Sequence, residues 1–138
     1  MNREVLFRGK SIDTGAWVEG YLYIHAGGTE YEQAYILGEL DHRESIYDIW
    51  KCAECVDLKT VGEFTGALTG NGTKIFEGDI VDTPRWVVTY GDGMKCFSGM
   101  QAGWYIQRDR FESWMELVDT EDLKVIGNIH DNPELLWR

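Results

Sequence analysis

Proline is nearly missing from this chain: of 138 residues only Pro84 and Pro133 carry its fixed φ. A Pro/Ser-rich linker is thereby excluded, and with it the usual mark of a domain boundary. Basic side chains are also few, 13 Lys and Arg against 24 Asp and Glu, for a formal net charge of −11. That balance argues against a protein that tracks a phosphate backbone. No apolar run reaches the roughly 18 residues of a membrane-crossing helix. The opening Met1–Arg8 lacks a signal-peptide core, because Arg8 ends the apolar stretch after three residues. Cysteine is sparse too. Cys52, Cys55 and Cys96 cannot all pair, so the expectation is a reducing, cytoplasmic setting.

What the chain has in quantity points to strands. Sixteen glycines, six tryptophans and seven tyrosines suit many short strands joined by tight turns. The hydrophobic fraction of 43% and charged fraction of 27% are those of a globular protein. With neither repeats nor a linker, the expectation is a single domain over 1–138. Charge shifts along the chain. Residues 11–50 hold eight acids (Asp13, Glu19, Glu30, Glu32, Glu39, Asp41, Glu44 and Asp48) against one base, Arg43. Scattered acids ordinarily keep a domain soluble. Gathered on one face, they would suit a basic partner or mimic a nucleic acid.

Alternation locates the elements. A first strand runs through Val5 and Phe7 and leaves at Arg8-Gly9-Lys10. The longest covers 16–25, with Trp17, Glu19, Tyr21 and Tyr23 to one side and Val18, Leu22 and Ile24 to the other. Gly20 inside it marks a bulge or a close backbone approach. Gln33–Leu37, Trp86–Tyr90, Met94–Phe97, Trp104–Gln107 and Lys124–Ile129 read as further strands, and Ser45–Trp50 as a short strand or one helical turn. Asn71-Gly72 predicts a hairpin with a type I′ turn, and Glu77-Gly78-Asp79 interrupts the run 75–82. Phe111, Trp114, Met115 and Val118 fall at helical spacing, although the segment is short enough to be a strand. At the far end Asn132 is a good N-cap, Pro133 suits the first helical position and Glu134 suits the helix dipole.

Two segments carry a family likeness. Thr60-Val-Gly-Glu-Phe-Thr-Gly-Ala-Leu68 with Asn71-Gly72-Thr-Lys-Ile-Phe-Glu-Gly-Asp-Ile-Val81 resembles the central signature of the YopX family, found mostly in phages and prophages. Val125-Ile-Gly-Asn-Ile-His-Asp-Asn-Pro-Glu-Leu-Leu136 is similar to its closing signature. Arg3–Phe7 with Gly15-Ala-Trp-Val-Glu-Gly-Tyr21 is similar to its first hairpin. The resemblance implies an all-β fold, a single-domain pseudobarrel of mostly antiparallel strands with a short C-terminal helix. It implies no activity, cofactor or catalytic residue. A bacterial host cytoplasm is the setting it suggests.

Cys52-Ala-Glu-Cys55 has the spacing of a zinc half-site. Its second half is missing, since Cys96, His25, His42 and His130 sit at no ligand-like spacing. No βαβ pattern places the pair at a helix N-terminus for redox work. Gly78-Asp79 with Gly127-Asn-Ile-His-Asp131 superficially echoes two-metal phosphoesterases. Ile129 separates Asn128 from His130, and no Asp-x-His occurs upstream. Glu63, Glu77, Asp79 and Asp82 form no evident acid–base pair, and Ser11, Ser45, Ser98 and Ser113 lack a nucleophile elbow. Gly70-Asn-Gly-Thr-Lys74 reads as a hairpin, not a phosphate loop. Trp86, Trp104 and Trp114 with Tyr21, Tyr23 and Tyr90 could stack bases. With so few cations, core and interface packing is the better account.

The expectation is therefore a non-catalytic protein of phage type that works through contact with a protein partner. No catalytic, cofactor or metal site is assigned. A zinc or redox function at Cys52 and Cys55 is the first alternative, and nucleic-acid binding or mimicry the second. Self-association is a further expectation, as small β domains with uncovered edges tend to pair.

Overall fold

The computed structural model describes residues 5–26, 32–38, 53–82, 85–91, 103–108 and 113–136. The chain divides into two compact units, Met1–Phe64 and Thr65–Arg138. The first contains β1 (Phe7–Lys10), β2 (Trp17–Ala26), β3 (Glu32–Leu37) and β4 (Ala53–Val56), then a 3-10 turn at Leu58–Thr60 and the start of β5 (Gly62–Leu68). Its strands stand in the order β4-β3-β2-β1-β5, each antiparallel to its neighbour.

Register decides which side chains enter the first core. Leu22 faces Ile36 across the β2–β3 ladder, and Ala34 faces Val56 across β3–β4. Ala34, Ile36 and Val56 are buried, with Phe7, Val18, Leu22, Leu58 and Val61 packed against them. Full burial of such side chains contributes about 1.5–3 kcal/mol each. The alternation read from 16–25 is therefore realised, with Val18 and Leu22 turned to this core. Gly20 marks a close approach rather than a bulge, because a Cβ there would meet the Leu37 carbonyl oxygen. Beyond β1, Ser11 makes one isolated bridge with Val56, and the Ile12 amide donates to the Cys55 carbonyl at 3.0 Å. The edge strand β4 thus meets the extension of β1 at a point instead of along a ladder, and the expected pseudobarrel is not closed into a barrel.

In the second unit the rest of β5 runs into a hairpin with β6 (Lys74–Phe76). The hairpin forms where Asn71-Gly72 predicts it, with a different turn. A type I′ turn needs positive φ at both residues, yet only Gly72 has it, at +82°. The Thr69 amide donates to the Thr73 carbonyl and the Gly72 amide to the Thr69 carbonyl, each at 2.9 Å. This is the three-residue loop in which one glycine takes the whole reversal, leaving Asn71 free of left-handed strain.

Glu77-Gly78 then splits the run 75–82, and β7 (Asp79–Val81), β8 (Trp86–Gly91), β9 (Gly103–Arg108), β10 (Ser113–Glu116) and β11 (Val125–Asn128) follow. They form an antiparallel sheet in the order β10-β9-β8-β7-β11. Ile75, Val81, Val88 and Ile106 are its buried core, flanked by Trp86, Trp104, Leu117, Leu123 and Val125. The helical spacing around Trp114 gives way to a strand, because Ser113–Glu116 finds ladder partners on β9. Trp114 meets Tyr105 edge-on at 5.3 Å.

The fold is all-β and antiparallel, as expected, but the closing helix is a single 3-10 turn, Pro133–Leu136. Asn132 does not cap it in the way the sequence suggests. Its side-chain oxygen accepts from the Asn128 amide, four residues upstream, at 3.2 Å. The elements read at Ser45–Trp50 and Met94–Phe97 lie outside the described residues.

Candidate functional site

The first sheet has two unlike faces. Opposite the core face, β1 presents Arg8 and Lys10, β2 presents Trp17, Glu19, Tyr21 and Tyr23, and β3 presents Gln33, Tyr35 and Leu37. Period-two alternation puts these side chains together, since residues opposed across an antiparallel ladder share a face. Tyr21 is 57% exposed and Tyr23 39% exposed. Tyr23 stands directly across from Tyr35, and Tyr21 from Leu37. The result is an aromatic strip on a rigid sheet, the arrangement that supplies contact area at low cost in side-chain entropy.

One end of the strip is charged, with Arg8 directly across from Glu19 and Lys10 across from Trp17. The Arg8 guanidinium lies 4.7 Å from the Trp17 ring centroid, and the Lys10 ammonium 5.8 Å. Both distances fall within cation–π range, so the indole orients two positive side chains on a chain of strongly negative net charge. Across the face the Tyr35 hydroxyl donates to Gln33 Oε1 at 2.6 Å. Cys55 lies opposite Tyr35 on β4 as a half-buried free thiol. Cys52 lies outside the described residues, as does Cys96. Among the described residues no three His, Cys, Asp or Glu side chains gather as a metal site requires.

The two halves of the phosphoesterase-like pattern do come together. Asn128 on β11 stands directly opposite Asp79 on β7, and both are buried. Their side chains serve the backbone. Asp79 Oδ2 accepts from the Phe76 amide at 2.8 Å, closing the Glu77-Gly78 turn. Asn128 Oδ1 accepts from the His130 and Asp131 amides at 3.0 and 2.9 Å, and its Nδ2 donates to Asp131 Oδ2 at 3.2 Å. Gly127 faces the Asn132 carboxamide so closely that a Cβ there would displace that side chain. The motif is a knot that fixes the exit from β11, built from residues that a turn needs.

The remaining candidates separate. Trp86 and Trp104 pack on the second core, as expected of aromatics, while Tyr21, Tyr23 and Tyr90 are exposed. Glu77 and Asp82 are exposed, and Asp82 Oδ1 accepts from the Lys124 amide. The buried Ser11 hydroxyl donates to Glu54 Oε1 at 2.7 Å and accepts from the Thr14 amide, a link between loop and strand. Of the acids in 11–50, Asp13 and Glu19 are exposed. Glu30, Glu39, Asp41, Glu44 and Asp48 lie outside the described residues. Among the described residues no helix is long and apolar enough to cross a membrane.

Sequence reasoning found the aromatic alternation of β2 but not the exposure of the strip. Nothing in the spacing of Tyr21 and Tyr23 distinguishes them from Trp86, which packs on a core. No curated protein matches the chain. The YopX protein family matches residues 6–137, from the residue before β1 to the one after the final turn. With nearly the whole of its length matched, the chain belongs to the YopX family.

Proposed function

We propose that this phage-type protein is a non-catalytic binding module, and that the outer face of its first sheet receives a protein partner. The observation that carries the reading is the exposure of Tyr21 and Tyr23 beside Trp17 and Tyr35 on one sheet face. Exposed aromatic clusters of this kind mark contact surfaces more often than solvated ones. Tyr, Trp and Arg are also the residues that most often dominate binding energy. The net charge of −11 favours protein over nucleic acid.

The buried polar groups support the same reading. Asp79 and Asn128, the most active-site-like pair, hold backbone amides. The test is comparative capture from host lysate with wild type, with Tyr21→Ser/Tyr23→Ser, and with Tyr90→Ser/Met115→Ser as an exposed control in the second unit. A protein retained by wild type and control and lost by the β2 variant is the expected result. Retention by all three would sink the assignment of the face.

A further inference from the structure

The β5–β6 hairpin carries chemistry that a binding face does not use. We propose that Asn71 is a site of spontaneous deamidation, and that the hydrogen bonds of Thr69 set its rate. The chain has four asparagines, and the residue after each is different: Arg3, Gly72, Ile129 and Pro133. Deamidation requires the next backbone nitrogen to attack the asparagine Cγ. Pro133 has no amide hydrogen to release. Ile129 is branched at Cβ and crowds the approach, and both polar atoms of the Asn128 carboxamide are hydrogen-bonded. Asn71 and Gly72 are both exposed, and a Cβ at Gly72 would meet nothing within 4 Å. Space for the cyclic intermediate is therefore present at Asn71.

The step balances with water and solvent base alone. The Gly72 nitrogen gives its proton to base and bonds to Asn71 Cγ. The Cγ–Nδ2 bond breaks, and the amide nitrogen leaves as ammonia. Water then opens the five-membered imide at either carbonyl. Opening at the side-chain carbonyl gives aspartate, and opening at the main-chain carbonyl gives isoaspartate. No oxidant or reductant takes part.

The folded hairpin holds the nucleophile back. The Gly72 N–H donates to the Thr69 carbonyl, the Thr69 N–H to the Thr73 carbonyl, and the Thr73 N–H to Thr69 Oγ1 at 3.2 Å. Thr69 is buried, and the neighbouring Leu68 carbonyl accepts from the Thr120 hydroxyl at 2.8 Å. Attack from Gly72 requires this clasp to open, so the rate follows the open fraction of the hairpin. Isoaspartate would lengthen the backbone inside a three-residue loop and prevent the clasp from closing again. Either product adds a negative charge.

The experiment is timed incubation of the full chain in mildly alkaline buffer, followed by peptide mapping by mass spectrometry. The Asn71 peptide is expected to gain the mass of an amide-to-carboxyl change as two separable isomers, with the Asn128 and Asn132 peptides unchanged. Thr69→Ala should raise the rate about fivefold, the effect of one lost hydrogen bond on the open fraction. Thr69→Ser should keep the wild-type rate. Thr120→Val gives a second, milder opening should Thr69→Ala fail to fold, and circular dichroism reports folding in each case. Equal rates in wild type and both opened variants would overturn the role of the clasp. An Asn71 that stays intact in the folded chain while the urea-unfolded chain converts would overturn the site itself.

Discussion

The Asn132 side chain accepts a hydrogen bond from the Asn128 amide at 3.2 Å, and the Asn132 amide in turn donates to the Asn128 carbonyl at 2.8 Å. Asn128 and Asn132 thus hold each other across the turn that leaves β11. Asn132→Ala should cost about 1 kcal/mol by releasing that turn. Asn132→Ser separates this role from helix capping, since serine caps as well as asparagine does but is too short to reach Asn128. Thermal melts should place the serine variant beside the alanine variant. A serine variant as stable as wild type would make Asn132 a cap after all.

The Asp79 carboxylate is 1% exposed and accepts the Phe76 amide. Asp79→Ala should therefore cost about 2–3 kcal/mol, because it strands a buried donor. Asp79→Asn keeps an oxygen in the same place and should cost less. Urea unfolding with an unchanged slope would read the difference directly. Equal losses in the two variants would deny the hydrogen bond its role.

Much of the architecture was legible because period-two alternation survives in single strands. Val18 and Leu22 turn inward and Tyr21 outward as their positions dictate, and Gln33–Leu37 differs from β3 by one residue. Three features were not legible, each for a physical reason. Trp114 and Met115 fit helical and strand spacing equally in so short a segment, and only the partner strand β9 decides between them. The turn type depends on the hydrogen bonds of Thr69, not on Asn71-Gly72 alone. The terminal element is a 3-10 turn, and the Asn132 side chain that the sequence offers as its cap is bonded upstream to the Asn128 amide. For the site, aromatic content was visible, but exposure depends on what covers each face.

Gly20→Ala should be among the most damaging single changes. A Cβ there would meet the Leu37 carbonyl oxygen, which belongs to the backbone and cannot rotate aside. A loss of at least about 3 kcal/mol is expected, measurable by denaturant unfolding. A loss under about 1 kcal/mol would show that β2 and β3 move apart at little cost.

The Cys52→Ser/Cys55→Ser double variant should shift stability by no more than about 1–2 kcal/mol. Cys55 is a half-buried thiol beside Tyr35, and its loss removes one small contact. Elemental analysis of the wild type should find no stoichiometric zinc. Failure of the variant to fold in any buffer would speak for a structural metal instead.

The most direct test of a contact role for the β2 face is native mass spectrometry of the tagged chain recovered from host lysate. One spectrum gives subunit number, bound metal and bound protein together. The account predicts a stoichiometric protein partner without metal, absent when the bait carries Tyr21→Ser/Tyr23→Ser and present with Tyr90→Ser/Met115→Ser. A metal-loaded chain without a partner, or a partner indifferent to Tyr21 and Tyr23, would contradict it.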